Sequence, residues 1–146
     1  MTIDYLTINA RATNLLLSAK KHTPSIDERL KTLVELRVSQ VNGCSYCIDL
    51  HSREARSYGE IQQRLDCLAV WRECSLFTES EMAALQWAES LTNIAVEVNV
   101  EDKLEVLLGS FSEVEVVDLT LIVSLMNCMN RIAIPLGDKP TPQIPC

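Results

Sequence analysis

The chain has 146 residues, 47% of them hydrophobic and 23% charged, enough apolar material for one globular domain that needs no disulfide staples. A formal net charge of −7 excludes the clustered Lys and Arg that phosphate backbones demand, so no nucleic-acid partner is expected. Thr2-Ile3-Asp4-Tyr5 follow Met1 with neither the basic start nor the apolar run of a signal peptide, which points to a reducing, cytoplasmic setting.

Only four glycines and five prolines punctuate the chain. Such sparse helix breakers favour an all-α bundle, of about six to seven helices here, without repeat or linker. Ser25, Thr78 and Ser112 each precede a Glu three positions on (Glu28, Glu81, Glu115), the spacing of a capping box at a helix start. After Ser25, the residues Ile26, Leu30, Leu33, Val34, Val38 and Val41 recur at three- and four-residue steps, which predicts a helix ending at the turn pair Asn42-Gly43. A second helix is expected from near Cys44 to about Tyr58, with Gly59 as its stop. Leu65, Leu68, Ala69 and Trp71 mark a short helix before Cys74, Met82 to Ile94 another, and Lys103 to Leu108 a brief one. The last, from Ser112 to about Ile134, is apolar on several faces, so it must be buried centrally or by partner chains, and a homo-oligomer is expected. Ser124, Asn127 and Cys128 interrupt its apolar run, which reads as too short for a bilayer span, so no membrane partner is expected. Residues 139–146 are expected to form a flexible tail.

Six cysteines occur, at 44, 47, 67, 74, 128 and 146. Without a secretory context they are read singly. Cys67, Cys74 and Cys128 are expected as small apolar core residues, and Cys146 as an exposed terminal thiol. Cys44 and Cys47 differ, because residues four and seven apart share a helix face and His51 lies on that face. A helix start at Cys44 supplies unpaired amides and a positive dipole end that favour thiolate over thiol, and His51 can take the proton. Cys44, Cys47 and His51 could instead supply three zinc ligands, but the usual two separated ligand pairs are missing, so a redox couple without metal or cofactor is the preferred reading. Glu35, nine residues before Cys44, approaches His51 only if the Asn42-Gly43 turn folds the two helices together; otherwise it is a solvated flank. Tyr46 is placed beside the substrate, His22 on the surface, and Asn127, Asn130 and Arg131 as groups that satisfy backbone or bridge subunits.

The run from Glu35 to Arg56, with Val41-Asn42-Gly43-Cys44-Ser45-Tyr46-Cys47-Ile48-Asp49-Leu50-His51 at its centre, resembles the AhpD-like alkylhydroperoxidase branch of the carboxymuconolactone decarboxylase family. The likeness continues through Leu65, Trp71-Arg72-Glu73, Phe77-Thr78 with Glu81, Leu91-Thr92 and Asn130-Arg131. It covers about residues 30–132 of one domain spanning 1–146. The resemblance implies an all-helical fold, assembly into trimers or hexamers, and a Cys-x-x-Cys pair that reduces peroxides. On matching positions it makes Cys47 the peroxide-attacking sulfur, Cys44 the resolving one and His51 the proton relay, with Glu35 as the candidate relay carboxylate. Two positions depart from the fully characterised peroxidase type: Thr32 stands where that type has its Glu, and Tyr46 where it has a second His. The implied partners are a hydroperoxide or disulfide substrate and an external dithiol, lipoylated or thioredoxin-like. The alternatives are a general disulfide reductase or redox sensor, and a structural or metal-binding oligomer.

Overall fold

The computed structural model describes residues 2–142, and every regular element among them is helical. In chain order these are α1 (Tyr5–Ile8), α2 (Ala10–Ala19), a 3-10 turn at Lys20–His22, α3 (Glu28–Asn42), α4 (Ser45–Ser57), α5 (Gln62–Cys67), a 3-10 segment at Leu68–Glu73, α6 (Glu79–Thr92), α7 (Val100–Leu108) and α8 (Glu113–Leu136). The all-α class is as expected, with eight α-helices among the described residues where about six to seven were anticipated from the scarcity of breakers. The surplus lies in α1 and α2. Asn9 closes the first and caps the second, its side chain accepting from the Ala12 amide at 3.3 Å. The consecutive Leu15-Leu16-Leu17 conceals the helical period there.

Two of the three expected capping boxes form. The Thr78 and Ser112 side chains accept from the amides of Glu81 and Glu115, and both glutamates reach back to the cap. The third does not, and the reason lies far along the chain: Ser25 donates through its amide and hydroxyl to Asp118 Oδ2, at 3.1 and 2.6 Å. Asp27 caps α3 in its place, accepting from the amides of Arg29 and Leu30 at 3.0 and 3.1 Å. An Asp cap of this kind contributes about 1 kcal/mol to the helix.

Helix α3 is the central element. Nine of its residues are buried, because it serves two cores on different faces. Val34 and Val38 pack with Ala84, Ala88, Leu119 and Val123 of α6 and α8. Leu33 and Leu36 pack with Ala55, Leu68, Trp71 and Leu85. A fully buried leucine of this type contributes about 1.5–3 kcal/mol.

Helix α8 is central on one side only. Its 24 residues are, by length and composition, apolar enough to cross a membrane, with one third of the most apolar window buried inside the chain. This corrects the expectation that the segment is too short, since interruption by Ser124, Asn127 and Cys128 does not lower the average far enough. Its inward face nevertheless carries Asp118, Asn127 and Asn130, all hydrogen-bonded. Of the expected tail, residues 139–142 are irregular and Gln143 to Cys146 lie outside the described residues.

One ionic hub joins α3, the second 3-10 segment and α6. Glu89 accepts from Arg37 Nε at 2.6 Å, Trp71 Nε1 at 2.8 Å and Arg72 Nη1 at 2.6 Å. Burial alone would raise the carboxyl's pKa, yet these three donors outweigh it and hold Glu89 below the ordinary carboxylate range. A carboxylate depressed in the fold contributes stability above its unfolded pKa, about 4.3, and loses it as pH falls through the folded value. Glu89→Gln should therefore cost about 2 kcal/mol in urea unfolding at pH 7. The gap between the two proteins should narrow below about pH 4.

Candidate active site

The site is built at the junction of α3 and α4. Gly43 ends α3 in the left-handed region at φ 71°, a conformation that glycine enters without a side-chain penalty. Its amide donates to Gln40 O at 3.2 Å and the Cys44 amide to Ser39 O at 3.0 Å. Cys44 is then the N-cap of α4, its sulfur accepting from the Cys47 amide at 3.4 Å. The two sulfurs are paired as a disulfide, with Cα atoms 5.3 Å apart.

The turn is pinned from α8. Asn42 Nδ2 donates to Asn127 Oδ1 at 3.0 Å and Asn130 Oδ1 at 2.9 Å, and Asn130 Nδ2 donates to Ser39 Oγ at 3.3 Å. Asn127 and Asn130 thus satisfy the end of α3 within the chain. Arg131 donates to Asn127 O and Oδ1 at 3.0 and 2.8 Å.

Cys47 and His51 lie one turn apart on α4, and both open onto a cavity of about 240 Å³. Its walls are mostly apolar, with Leu6, Leu17, Leu50, Met126 and Met129 among them, and Tyr46 at the side. Both cysteines are nearly inaccessible, at 2% and 3% relative exposure, yet Cys47 faces this space while Cys44 does not line it. Tyr5 also faces it; its hydroxyl donates to Asp138 Oδ2 at 2.6 Å. Burial, and then this carboxylate, push the Tyr5 phenol well above its ordinary range, so it stays protonated.

Beside His51, and among the residues that line the same cavity, lies a charge cluster. The Nδ1 atom is 2.8 Å from Glu54 Oε2 and 3.5 Å from Glu35 Oε2. Glu35 is therefore brought beside His51, buried and not solvated, while the hydrogen-bonded carboxylate is Glu54. Sequence reasoning passed over Glu54, although its position three residues after His51 is the spacing of a helix-face pair. The hydrogen bond to His51, aided by Lys20, holds Glu54 below the ordinary carboxylate range despite partial burial. With Nδ1 bound to a carboxylate, the neutral ring carries its proton there and leaves Nε2 as the acceptor. Thr32 takes no part, since its hydroxyl donates to the Glu28 and Arg29 carbonyls within α3.

Lys20 was also missed. Its Nζ lies 2.7 Å from Glu35 Oε2 and 3.7 Å from Glu54 Oε2. Among the described residues, Glu35, His51 and Glu54 are the one group with metal-ligand atoms close together, within 4.8 Å, and the Lys20 ammonium sits on its carboxylates where a cation would.

Cys67, Cys74 and Cys128 are partly exposed, which corrects full burial in the core, although Cys74 packs against the core of Leu33, Leu68 and Trp71. Cys67 and Cys74 end α5 and the following 3-10 segment, where the chain turns at the surface. Desolvation and then the neighbouring Cys67 thiol hold the Cys74 pKa above its ordinary value. His22 is exposed, as expected.

Residues 9–90 match the carboxymuconolactone decarboxylase family. YdfG of Bacillus subtilis, an uncharacterized protein, is 34% identical over 139 residues, which is 94% of this chain and 95% of YdfG. A solved protein of unknown function from Agrobacterium tumefaciens, described as a candidate antioxidant defence protein AhpD, superposes with a TM-score of 0.90 at 32% identity, covering 97% of this chain and 100% of that one. An uncharacterized peroxidase-related protein with an AhpD core, from Ralstonia eutropha JMP134, shares the fold at a TM-score of 0.77 and 22% identity, over 94% of this chain and 75% of its own.

Helix-start thiols are the reactive ones, and a raised pKa slows a thiol by keeping it protonated. In the reduced protein, limiting iodoacetamide should label Cys47 at least roughly tenfold faster than Cys74. Peptide mass spectrometry reads the order, and faster labelling of Cys74 would contradict the assignment.

Proposed function

Because the chain belongs to the carboxymuconolactone decarboxylase family, in its AhpD-like branch, we propose that it is a thiol-dependent peroxidase reducing organic hydroperoxides. The observation that carries this is the paired Cys44 and Cys47 with only Cys47 opening, beside His51, onto a small apolar cavity. In the reduced state the Cys47 thiol passes its proton to His51 Nε2. The thiolate attacks the terminal peroxide oxygen, the O–O bond breaks, and the alkoxide recovers the proton from His51 and leaves as an alcohol. The Cys47 sulfenic acid then condenses with the Cys44 thiol, releasing water and forming the disulfide. An external dithiol restores both thiols by exchange and becomes a disulfide itself. A slender lipoyl-type arm suits this step better than a bulky thioredoxin-like surface, because both sulfurs lie inside the fold. The same argument favours hydroperoxides over protein disulfides as substrates.

With dithiol present, the wild type should consume an alkyl hydroperoxide and Cys47→Ser should fall to the no-enzyme rate. Wild-type turnover at the blank rate, with insulin disulfides reduced instead, would move the assignment to a general disulfide reductase.

The functional unit is proposed to be a homo-oligomer, a trimer or hexamer. Val114, Val117 and Leu121 are each more than half exposed on α8, and Ser124 and Cys128 continue their three- and four-residue steps. That is the seam of a helix awaiting another helix. Beside it runs an apolar groove of about 430 Å³ between α2 and α8, lined by Leu16, Leu121 and Leu125 among others. Light scattering should give a multiple of 16.4 kDa, and Leu121→Glu should lower it.

A further inference from the structure

Lys20 stands at the head of the 3-10 turn that closes α2, 31 residues before His51 in the chain, yet it shares both of that histidine's carboxylates. Glu35 Oε2 lies 2.7 Å from Lys20 Nζ and 3.5 Å from His51 Nδ1. Glu54 Oε2 lies 3.7 Å from the ammonium and 2.8 Å from the ring. Two carboxylate oxygens are thus held between one ammonium and one imidazole. The neighbouring Lys21 is exposed, so the inward placement of Lys20 is not a general property of this basic stretch.

The charge count shows what the arrangement does. Glu35 and Glu54 together bring two negative charges to the Nδ1 side of His51. Without a further cation, the least costly way to balance them in a partly buried site is to protonate the ring, and an imidazolium cannot accept a proton from Cys47. The Lys20 ammonium balances one of the two charges from the far side. Burial works against its charge, but Glu35, by attraction and hydrogen bond, and then Glu54 and Glu28 outweigh that and hold Lys20 above its ordinary range, so it remains a cation. The other titratable groups facing the ring through the cavity are Tyr5 of α1 and Tyr46 and Cys47 of α4, while α8 contributes only apolar lining.

We propose that Lys20 is a positioning residue of this site: by bridging Glu35 and Glu54 it offsets one of the two carboxylate charges that draw a second proton onto His51, and so favours the neutral ring whose Nε2 can take the Cys47 proton. The proposal rests on the proton relay assigned to His51 above. Lys20 itself touches no reacting atom.

The test follows the His51 ring by nitrogen-detected NMR across pH in the reduced protein, which reads ring charge and tautomer without any turnover. The chain has two histidines, and His22→Gln leaves only His51 to observe. Against that background, Lys20→Met keeps the aliphatic stem and removes the charge, Lys20→Arg keeps the charge, and Lys21→Met is the exposed control. The His51 titration should move upward by about one pH unit in Lys20→Met, remain within a few tenths in Lys20→Arg, and stay in place in Lys21→Met. The pH profile of Cys47 alkylation should shift with it. An unmoved His51 titration in folded Lys20→Met overturns the proposal, as does an equal shift in Lys21→Met. If Lys20→Met fails to fold, the decision passes to Lys20→Gln, read in the same way. Failure of the underlying relay is separately visible: His51→Ala would then leave the Cys47 alkylation profile of the otherwise unaltered protein unchanged.

Discussion

The reversal at Gly43 is the constraint on which the site depends. A left-handed residue at the end of α3 lets the chain turn back at once, so that Cys44 directly follows the C-cap of one helix and is itself the N-cap of the next. Glu35 and His51 lie sixteen positions apart in sequence and become neighbours only because α4 is laid along α3. No atom within 4 Å would obstruct a Cβ at Gly43, so the demand for glycine there is one of backbone conformation alone, about 1 kcal/mol. The asparagine cluster on α8 explains why so modest a preference suffices. Asn42 is held by Asn127 and Asn130, and buried amides of this kind permit few alternative arrangements because every unpaired donor is costly.

What was legible in the sequence was what one helix could decide. Cys44, Cys47 and His51 fall on a single face by spacing, and the caps at Thr78 and Ser112 are settled within three residues of themselves. Most of the misread features involve a second segment. Ser25 has the spacing of a capping box, but its hydroxyl is engaged by Asp118, 93 residues away, and Asp27 takes over the cap. Lys20 looks like one of three surface cations before Pro24, and nothing in its neighbourhood announces Glu35. Glu54 is the exception, since it belongs to the same helix as His51. It was overlooked because a Glu three residues after a His on an amphipathic helix is ordinarily a solvated pair. The family resemblance favoured Glu35 as a relay carboxylate where spacing left its contact with His51 open; in the fold Glu35 lies beside the ring, and the shorter contact is to Glu54.

Helix α8 shows how one apolar segment can serve two surfaces. The residues that turn inward include three polar groups, each given a partner: Asp118 by Ser25, Asn127 by Thr92 and Asn42, Asn130 by Asn42 and Ser39. The outward stripe is purely apolar through Val114, Val117 and Leu121. In a helix buried by its own chain the pattern would be reversed, with polar groups outward. The proposed homo-oligomer rests on this apolar outer stripe at heptad spacing, which is suited to packing against a further helix.

The polarity of the site is divided across a single imidazole ring. On the Nδ1 side lie two carboxylates and an ammonium, which also line part of the cavity that Cys47 faces; the rest of its wall is mostly apolar. This division matters for thiol chemistry, because a thiolate in apolar surroundings is unfavourable unless its proton has somewhere close to go. His51 couples the ionic cluster to Cys47, and Lys20, Glu35 and Glu54 themselves also help to line the cavity. The cost is that three charged groups must be brought together in a partly buried position, and a group of that kind is tolerable only when attraction and hydrogen bonding replace the lost water. The shared oxygens of Glu35 and Glu54 meet that condition with the fewest groups, since each serves Lys20 and His51 at once. The site is therefore best described as one ionic assembly built around His51, and not as a cysteine pair with accessory residues.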